Sequence, residues 1–237
     1  MITKKVLIFG ASGQIGRYCI RRLVRNNYKV IATTRNIHQK GYILKTQAPI
    51  GYLDIEQISI LDEEKINQLL SNVDVCINLV GILHEKGKFN TFHKIHTEFP
   101  DTISKICKQK NVNLIHVSAL ALDKATDSKY AQSKINGEKK IRENFDRAII
   151  IKPSIIFSVD DKLSTRFMSL LSLFPIFPIY YNGSTKFTPI HASDLAELIF
   201  NVISKEIVSK DIEAVGPEVL TFKEIIQILS KLSLIHI

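Results

Sequence analysis

Lys5-Val6-Leu7-Ile8-Phe9-Gly10-Ala11-Ser12-Gly13-Gln14-Ile15-Gly16-Arg17 passes from an apolar run into three regularly spaced glycines. The apolar run has the length of a strand. Beyond the turn, Ile15, Cys19, Ile20, Leu23 and Val24 fall on one helical stripe. Strand, glycine turn and amphipathic helix in that order make the first βα unit of a dinucleotide-binding fold. Gly10 lets the chain turn off the strand, Gly13 lets the backbone approach a pyrophosphate, and Gly16 lets the helix pack hard against the sheet. The helix N-terminus then offers free N–H groups and a positive dipole end to the phosphates. Gly10, Ser12, Gly13, Gln14, Ile15, Gly16 and Arg17 are the first candidate cofactor-binding residues.

Outward from this unit the pattern repeats. Lys29-Val30-Ile31-Ala32-Thr33 reads as a second strand with Arg35 at its tip. An acidic residue at that tip bonds the ribose 2′-hydroxyl of NAD, and a basic one accommodates a 2′-phosphate, so Arg35 points to NADPH rather than NADH. Residues 36–53 look irregular, with Gly41, Pro49 and Gly51 as breakers. A third strand is expected near 55–60, then a helix capped by Asp62. The nearly unbroken apolar run over 73–80 reads as a strand buried on both faces; it contains Asn78, which needs a partner, and ends at Val80 and Gly81. A long helix over 91–110, a strand over 113–117 ending in Ser118, a helix over 130–144 and a strand over 148–151 stopped by Pro153 complete the series.

Strands alternating with helices predict an α/β fold: a doubly wound parallel sheet of the Rossmann type, whose ligands lie at the carboxyl ends of the strands. Gly10, Arg35, Gly81, Ser118 and Pro153 all fall at such ends. Residues 1–153 are expected to form the NAD(P)-binding unit, and 154–237 a small C-terminal extension completing it on the substrate side. Within that extension Phe174-Pro175-Ile176-Phe177-Pro178-Ile179 reads as an irregular apolar segment or lid. Residues 189–194 read as a strand end and helix start, and 212–215 as a strand. Thr221 and Glu224 form a capping box for a last helix, which runs into the apolar end Leu234-Ile235-His236-Ile237.

A chain of 237 residues, 45% of them hydrophobic, supports one large α/β unit. No apolar run reaches the roughly 18 residues of a membrane span. The first strand begins too early to leave room for a targeting peptide, so the expected location is the bacterial cytoplasm, or the matrix side in a mitochondrion. Cys19, Cys76 and Cys107 lack metal spacing and read as small core residues in a reducing compartment. The net charge of +9 suits an acidic partner or peripheral contact with an anionic membrane, but a lysine-rich composition without such a role accounts for it more simply. Nucleic acid is not among the expected partners.

Ser118, Tyr130 and Lys134 are the candidate catalytic residues. Tyr130 and Lys134 stand four apart on one helix face, and Ser118 ends the strand that feeds that helix. A lysine ammonium beside a tyrosine hydroxyl favours the phenolate, which lowers its pKa and makes it an acid/base for a carbonyl or alcohol. Both are also expected on the cofactor side, Lys134 at the nicotinamide ribose. His84, His93, His96 and His116 have no carboxylate-backed metal pattern and read as packing or surface residues.

Five segments together resemble an atypical branch of the short-chain dehydrogenase/reductases: the glycine turn, Ile77-Asn78-Leu79-Val80-Gly81, Ile115-His116-Val117-Ser118-Ala119, Tyr130-Ala131-Gln132-Ser133-Lys134 with Gly137-Glu138, and Lys152-Pro153-Ser154-Ile155-Ile156-Phe157. Within that branch they are most similar to the family of the nucleotide-binding accessory subunit of respiratory complex I and its bacterial relatives, and Val215-Gly216-Pro217 extends the likeness. The resemblance implies a tightly held NADPH with a mainly structural role, and respiratory complex I subunits as partners. It also implies that NADH oxidation takes place on another subunit. Ser158 stands where that family has glycine, Ser59-Ile60 where it has an acidic residue, and the chain is shorter than its relatives. The alternative reading is an independent NADP-dependent reductase, epimerase or dehydratase using Tyr130 and Lys134.

Overall fold

A computed structural model describes residues 4–173 and 179–234. In chain order the elements are β1 (Lys5–Phe9), α1 (Gln14–Arg25), β2 (Lys29–Thr34), α2 (Ile37–Lys45), β3 (Leu53–Gln57), α3 (Glu63–Leu70) and β4 (Val75–Asn78). They continue with α4 (Phe99–Lys110), β5 (Asn113–Val117), α5 (Lys129–Asn144), β6 (Ile149–Pro153), β7 (Ile156–Phe157) and α6 (Lys162–Leu173). The last are β8 (Lys186–Phe187), β9 (Ile190–His191), α7 (Ala192–Ser204), β10 (Asp211–Ala214), β11 (Leu220–Thr221) and α8 (Phe222–Leu234).

The main sheet has seven strands in the order β10-β6-β5-β4-β1-β2-β3. All its pairings are parallel, with Leu7 opposite both Ile31 and Cys76. The chain thus builds outward from β1 to one edge and then returns to build the other, the Rossmann arrangement expected from the alternation of elements. Because strand side chains alternate, β1 sends Val6 and Ile8 into one core, with Ile20, Leu23 and Ile199. It sends Leu7 and Phe9 into the opposite core, with Ile66, Phe99, Ile103 and Leu114. Helices on both faces are why the central strands read as continuous apolar runs. Cys19, Cys76 and Cys107 are free and buried, and desolvation pushes the Cys19 thiol up to about 12.

Four expectations need correction. Within 36–53 lies α2, capped by Asn36, whose side chain accepts from Gln39 N–H at 3.1 Å. Gly41 is not a breaker there; it is buried inside the helix, where a Cβ would stand 3.2 Å from Ile37 Cγ1. The third strand lies earlier than 55–60, because β3 is an edge strand paired only to β2, from Leu53 opposite Val30 to Gln57 opposite Thr34. Ile58 turns into the core beyond its end, with its N–H on Thr34 C=O. A further helix, α6, occupies part of the extension that had no expected element.

The helix expected over 91–110 is present without interruption from 92 to 110, but its first part, His93–Glu98, is π-helical and only the remainder, α4, is a regular α-helix. Pro100 explains the wide turn. It has no N–H to offer the His96 carbonyl four residues back, and its ring crowds that carbonyl, so the turn widens. The carbonyl instead faces α5 at Gly137, where an added Cβ would fall 1.8 Å from His96 O.

In the extension, β10 pairs with β6 and completes an edge of the main sheet, while α7 packs on α1. The expected strand end and helix start at 189–194 are β9 and α7. The capping box is present: Glu224 N–H donates to Thr221 Oγ1 at 3.2 Å, and Thr221 N–H to Glu224 Oε2 at 2.7 Å. The segment Phe174–Ile179 lies outside the described residues except for Ile179, and so do residues 235–237 of the apolar end. Among the described residues, no helix is long and apolar enough to cross a membrane.

Candidate functional site

The glycine turn leaves β1 as a tight cradle. Gly10 has φ +80, and a Cβ there would stand 3.1 Å from the Leu79 carbonyl carbon and oxygen, so β4's exit crosses directly behind it. Gly13 N–H bonds Gly10 C=O at 3.0 Å, and Gly13 opens α1 with no side-chain cap. The first turn of α1 carries no acidic residue. Its orphan N–H groups and dipole therefore face the mouth of the turn without a built-in anion. Gly16 is buried against Ala11, where a Cβ would fall 2.4 Å from the carbonyl oxygen. Ser12 and Ile15 are half-buried at the same turn.

Two polar side chains of this turn, Gln14 and Arg17, are already engaged. Gln14 Nε2 donates to Ser158 Oγ at 2.9 Å, and Arg17 pairs with Asp160 at 2.5 Å while its Nε donates to Gly13 C=O at 3.3 Å. Ser158, where the resembling family has glycine, thus supplies the hydroxyl that ties its loop to α1. Arg35 is exposed at the end of β2, and its Nη1 donates to Asn90 Oδ1 at 3.2 Å. Asn90 closes a short turn with Lys86 whose tip, Gly87, has φ +67. Further along α1, Arg21 stacks over the Tyr18 ring at 4.3 Å.

On the other side of the cradle, Lys134 is buried and its Nζ donates to Val117 C=O at 3.2 Å, facing Gly81, whose added Cβ would lie 3.6 Å from it. Burial outweighs the nearby Glu138 charge and lowers Lys134 to about 8. Tyr130 corrects the expectation of a lowered pKa: burial raises it. Lys134 is committed to the strand end, and Tyr130 packs edge-on against Phe92 and His96, at 5.8 and 5.3 Å between ring centres. The Ser118 hydroxyl donates to Glu138, whose other oxygen holds Lys152 Nζ at 3.0 Å. Val80 N–H donates to Asn78 Oδ1 at 3.0 Å, and Pro153 C=O accepts from Leu120 N–H at 2.9 Å.

Two residues here have roles that the sequence reading did not give them. Glu138 carries a visible signal, since Tyr130, Lys134 and Glu138 recur every fourth position on α5. His96 carries none. Its Nε2 accepts from Ile82 N–H at 3.0 Å, so Nδ1 bears the proton and donates to Ser133 Oγ at 2.9 Å, tying the loop after β4 to α5. His116 is the partner that Asn78 required, at 3.0 Å. Burial first, then the Lys134 charge, lowers His96 to about 3 and holds His116 well below the usual range.

A group with a depressed folded pKa makes the unfolded chain bind more protons. Stability is therefore full above the ordinary histidine value of 6.5 and declines as pH falls from there toward about 3. Melting temperatures should hold between pH 7.5 and 6.5 and fall from there to pH 5, and a His96→Asn variant should show a shallower decline.

The comparisons with known proteins agree with the fold. A relative from Dictyostelium discoideum, the mitochondrial NADH dehydrogenase [ubiquinone] 1 alpha subcomplex subunit 9, is 30% identical over 94% of this chain and 62% of its own length. The NADH-ubiquinone oxidoreductase 40 kDa subunit of Neurospora crassa is 26% identical over 94% of this chain and 59% of its own. The chain thus spans somewhat under two thirds of the curated relatives it matches. Among solved structures, the Bordetella bronchiseptica enzyme WbmG in complex with NAD superposes with a TM-score of 0.79. It covers 97% of this chain and 78% of that one at 12% identity, a likeness of fold. The family model described as the RmlD substrate binding domain matches residues 4–216, nearly the whole α/β unit, and the chain belongs to that family.

Proposed function

We propose that the chain binds NADPH as a long-lived structural cofactor and serves as a nucleotide-holding subunit of a respiratory complex I or of its assembly. The observation that carries the binding is the uncapped N-terminus of α1 behind the Gly10–Gly16 cradle, a turn whose fit to a phosphate depends on residues without side chains. Ser12, Gly13, Gln14 and Ile15 would hold the pyrophosphate, and Arg35 the 2′-phosphate. Val80, Gly81, Tyr130, Lys134 and Pro153 would line the nicotinamide half. The cofactor, when bound, supplies a hydride donor. The chain's own groups favour holding over turnover, because Ser118 is engaged by Glu138, Lys134 by Val117, and Tyr130 is pushed toward its protonated form. Complex I as the setting rests on the relatives, which are subunits of that enzyme by name.

The test is to denature purified protein and identify the nucleotide released. Near-stoichiometric NADPH, with co-purification of complex I subunits from the native host, is the expected result. Protein that carries no nucleotide and binds neither NADPH nor NADH refutes the reading. Rapid exchange with steady NADPH oxidation in the presence of a carbonyl substrate, abolished by Tyr130→Phe, favours an independent reductase instead.

A further inference from the structure

The loop between β7 and α6 is fastened across the start of α1. Gln14 Nε2 donates to Ser158 Oγ at 2.9 Å, and Arg17 pairs with Asp160 at 2.5 Å, so both polar side chains of the first turn of α1 reach the same four-residue loop. The loop is itself stiffened. Asp161 is 3% exposed and accepts from Ser158 N–H at 3.2 Å and from Ser164 N–H at 2.6 Å, capping α6, and Ser158 Oγ also donates to Asp160 at 3.1 Å. The fastening is nevertheless made at its outer end by a half-exposed carboxylate, with 45% of the Asp160 side chain open to solvent and 22% of Arg17. Val159 beside it is 96% exposed and adds no apolar contact to the hold.

Taken together, a rigid loop is tied by one hydrogen bond and one screened ion pair directly beside the phosphate cradle. We infer that Ser158–Asp161 is a latch over the nucleotide site, and that release of Gln14 and Arg17 from it sets the rate at which the dinucleotide enters and leaves. This rests on the nucleotide-binding reading. The latch closes on α1 rather than on the ligand, so it acts on both rates together. Loosening it speeds association and dissociation by the same factor and leaves the equilibrium constant where it was. An exposed ion pair and one side-chain hydrogen bond are both weak contacts, so their joint loss amounts to roughly a tenfold change in rate.

Stopped-flow fluorescence of NADPH on the full chain, at low and high salt, tests this with Ser158→Gly, Asp160→Asn and the double variant. The expected result is a rise of about tenfold in both rate constants for the double variant, a Kd unchanged at any given salt concentration, and a wild type whose dissociation rate climbs with salt more steeply than that of Asp160→Asn, since salt screens the anionic dinucleotide equally in both. Tighter binding through a slower off-rate in Asp160→Asn would mean that Asp160 merely withholds Arg17 from the phosphates, and would overturn the latch. Unaltered rates in the double variant would overturn it as well while leaving the binding reading intact. A wild type that shows no NADPH signal at any concentration would remove both.

Discussion

Replacing Gly137 by alanine is expected to be the most destabilising single methyl group that can be added on α5. The new Cβ would fall 1.8 Å from His96 O and 3.0 Å from His96 C, both backbone atoms with no rotamer through which to move aside. That carbonyl is displaced toward α5 because Pro100 cannot accept it into a normal helical turn. Relief therefore requires α5 to separate from the π-helical stretch, which takes Lys134 away from Gly81 and breaks the His96–Ser133 bond. We expect a loss of about 3 kcal/mol or more in urea unfolding. Lys139→Ala, on the exposed side of the same helix, should stay within about 0.5 kcal/mol of the wild type. Equal stability in the two variants would show that the close approach of α5 is not enforced by the backbone.

This contact also shows how far the sequence could be read. β1 and β4 were legible because each is buried on both faces and so writes a nearly unbroken apolar run, as in Val6-Leu7-Ile8-Phe9 and Val75-Cys76-Ile77. β3 was misplaced because an edge strand is covered on one side only, and the stronger apolar signal at Ile58 belongs to the chain that turns inward after it. α2 was hidden because a helix of nine residues with two buried positions offers little periodicity. In the site, the glycine turn was readable as local geometry. The Arg17–Asp160 and Gln14–Ser158 contacts were not, since each joins residues some 140 positions apart. Tyr130 and Lys134 were placed on one face correctly, but helical spacing does not say where the ammonium points, and a strand-end carbonyl takes it.

Gly16→Ala and Gly13→Ala, made side by side, should separate the two uses of glycine in the opening turn. At Gly16 the added Cβ would meet Ala11 O at 2.4 Å and Ala11 Cα at 2.6 Å, backbone against backbone, so the helix must lift off the turn that positions it. Both stability and binding should suffer: about 2–3 kcal/mol in unfolding, with NADPH affinity falling beyond detection as the cradle opens. At Gly13 the neighbour is Gly10 O at 3.1 Å, and φ is −73, a value any residue adopts. The fold should therefore tolerate alanine there with a small change in melting temperature. Gly13 is exposed at the mouth of the cradle, though, and a methyl there occupies the space through which a pyrophosphate reaches the N–H groups of α1. Affinity should fall at least about tenfold, equivalent to about 1.4 kcal/mol, in a protein that is otherwise intact. A Gly13→Ala variant that binds NADPH as the wild type does would place the phosphates elsewhere and leave the turn a purely structural device. Loss of binding without loss of stability would tie the opening motif of the chain to the nucleotide itself.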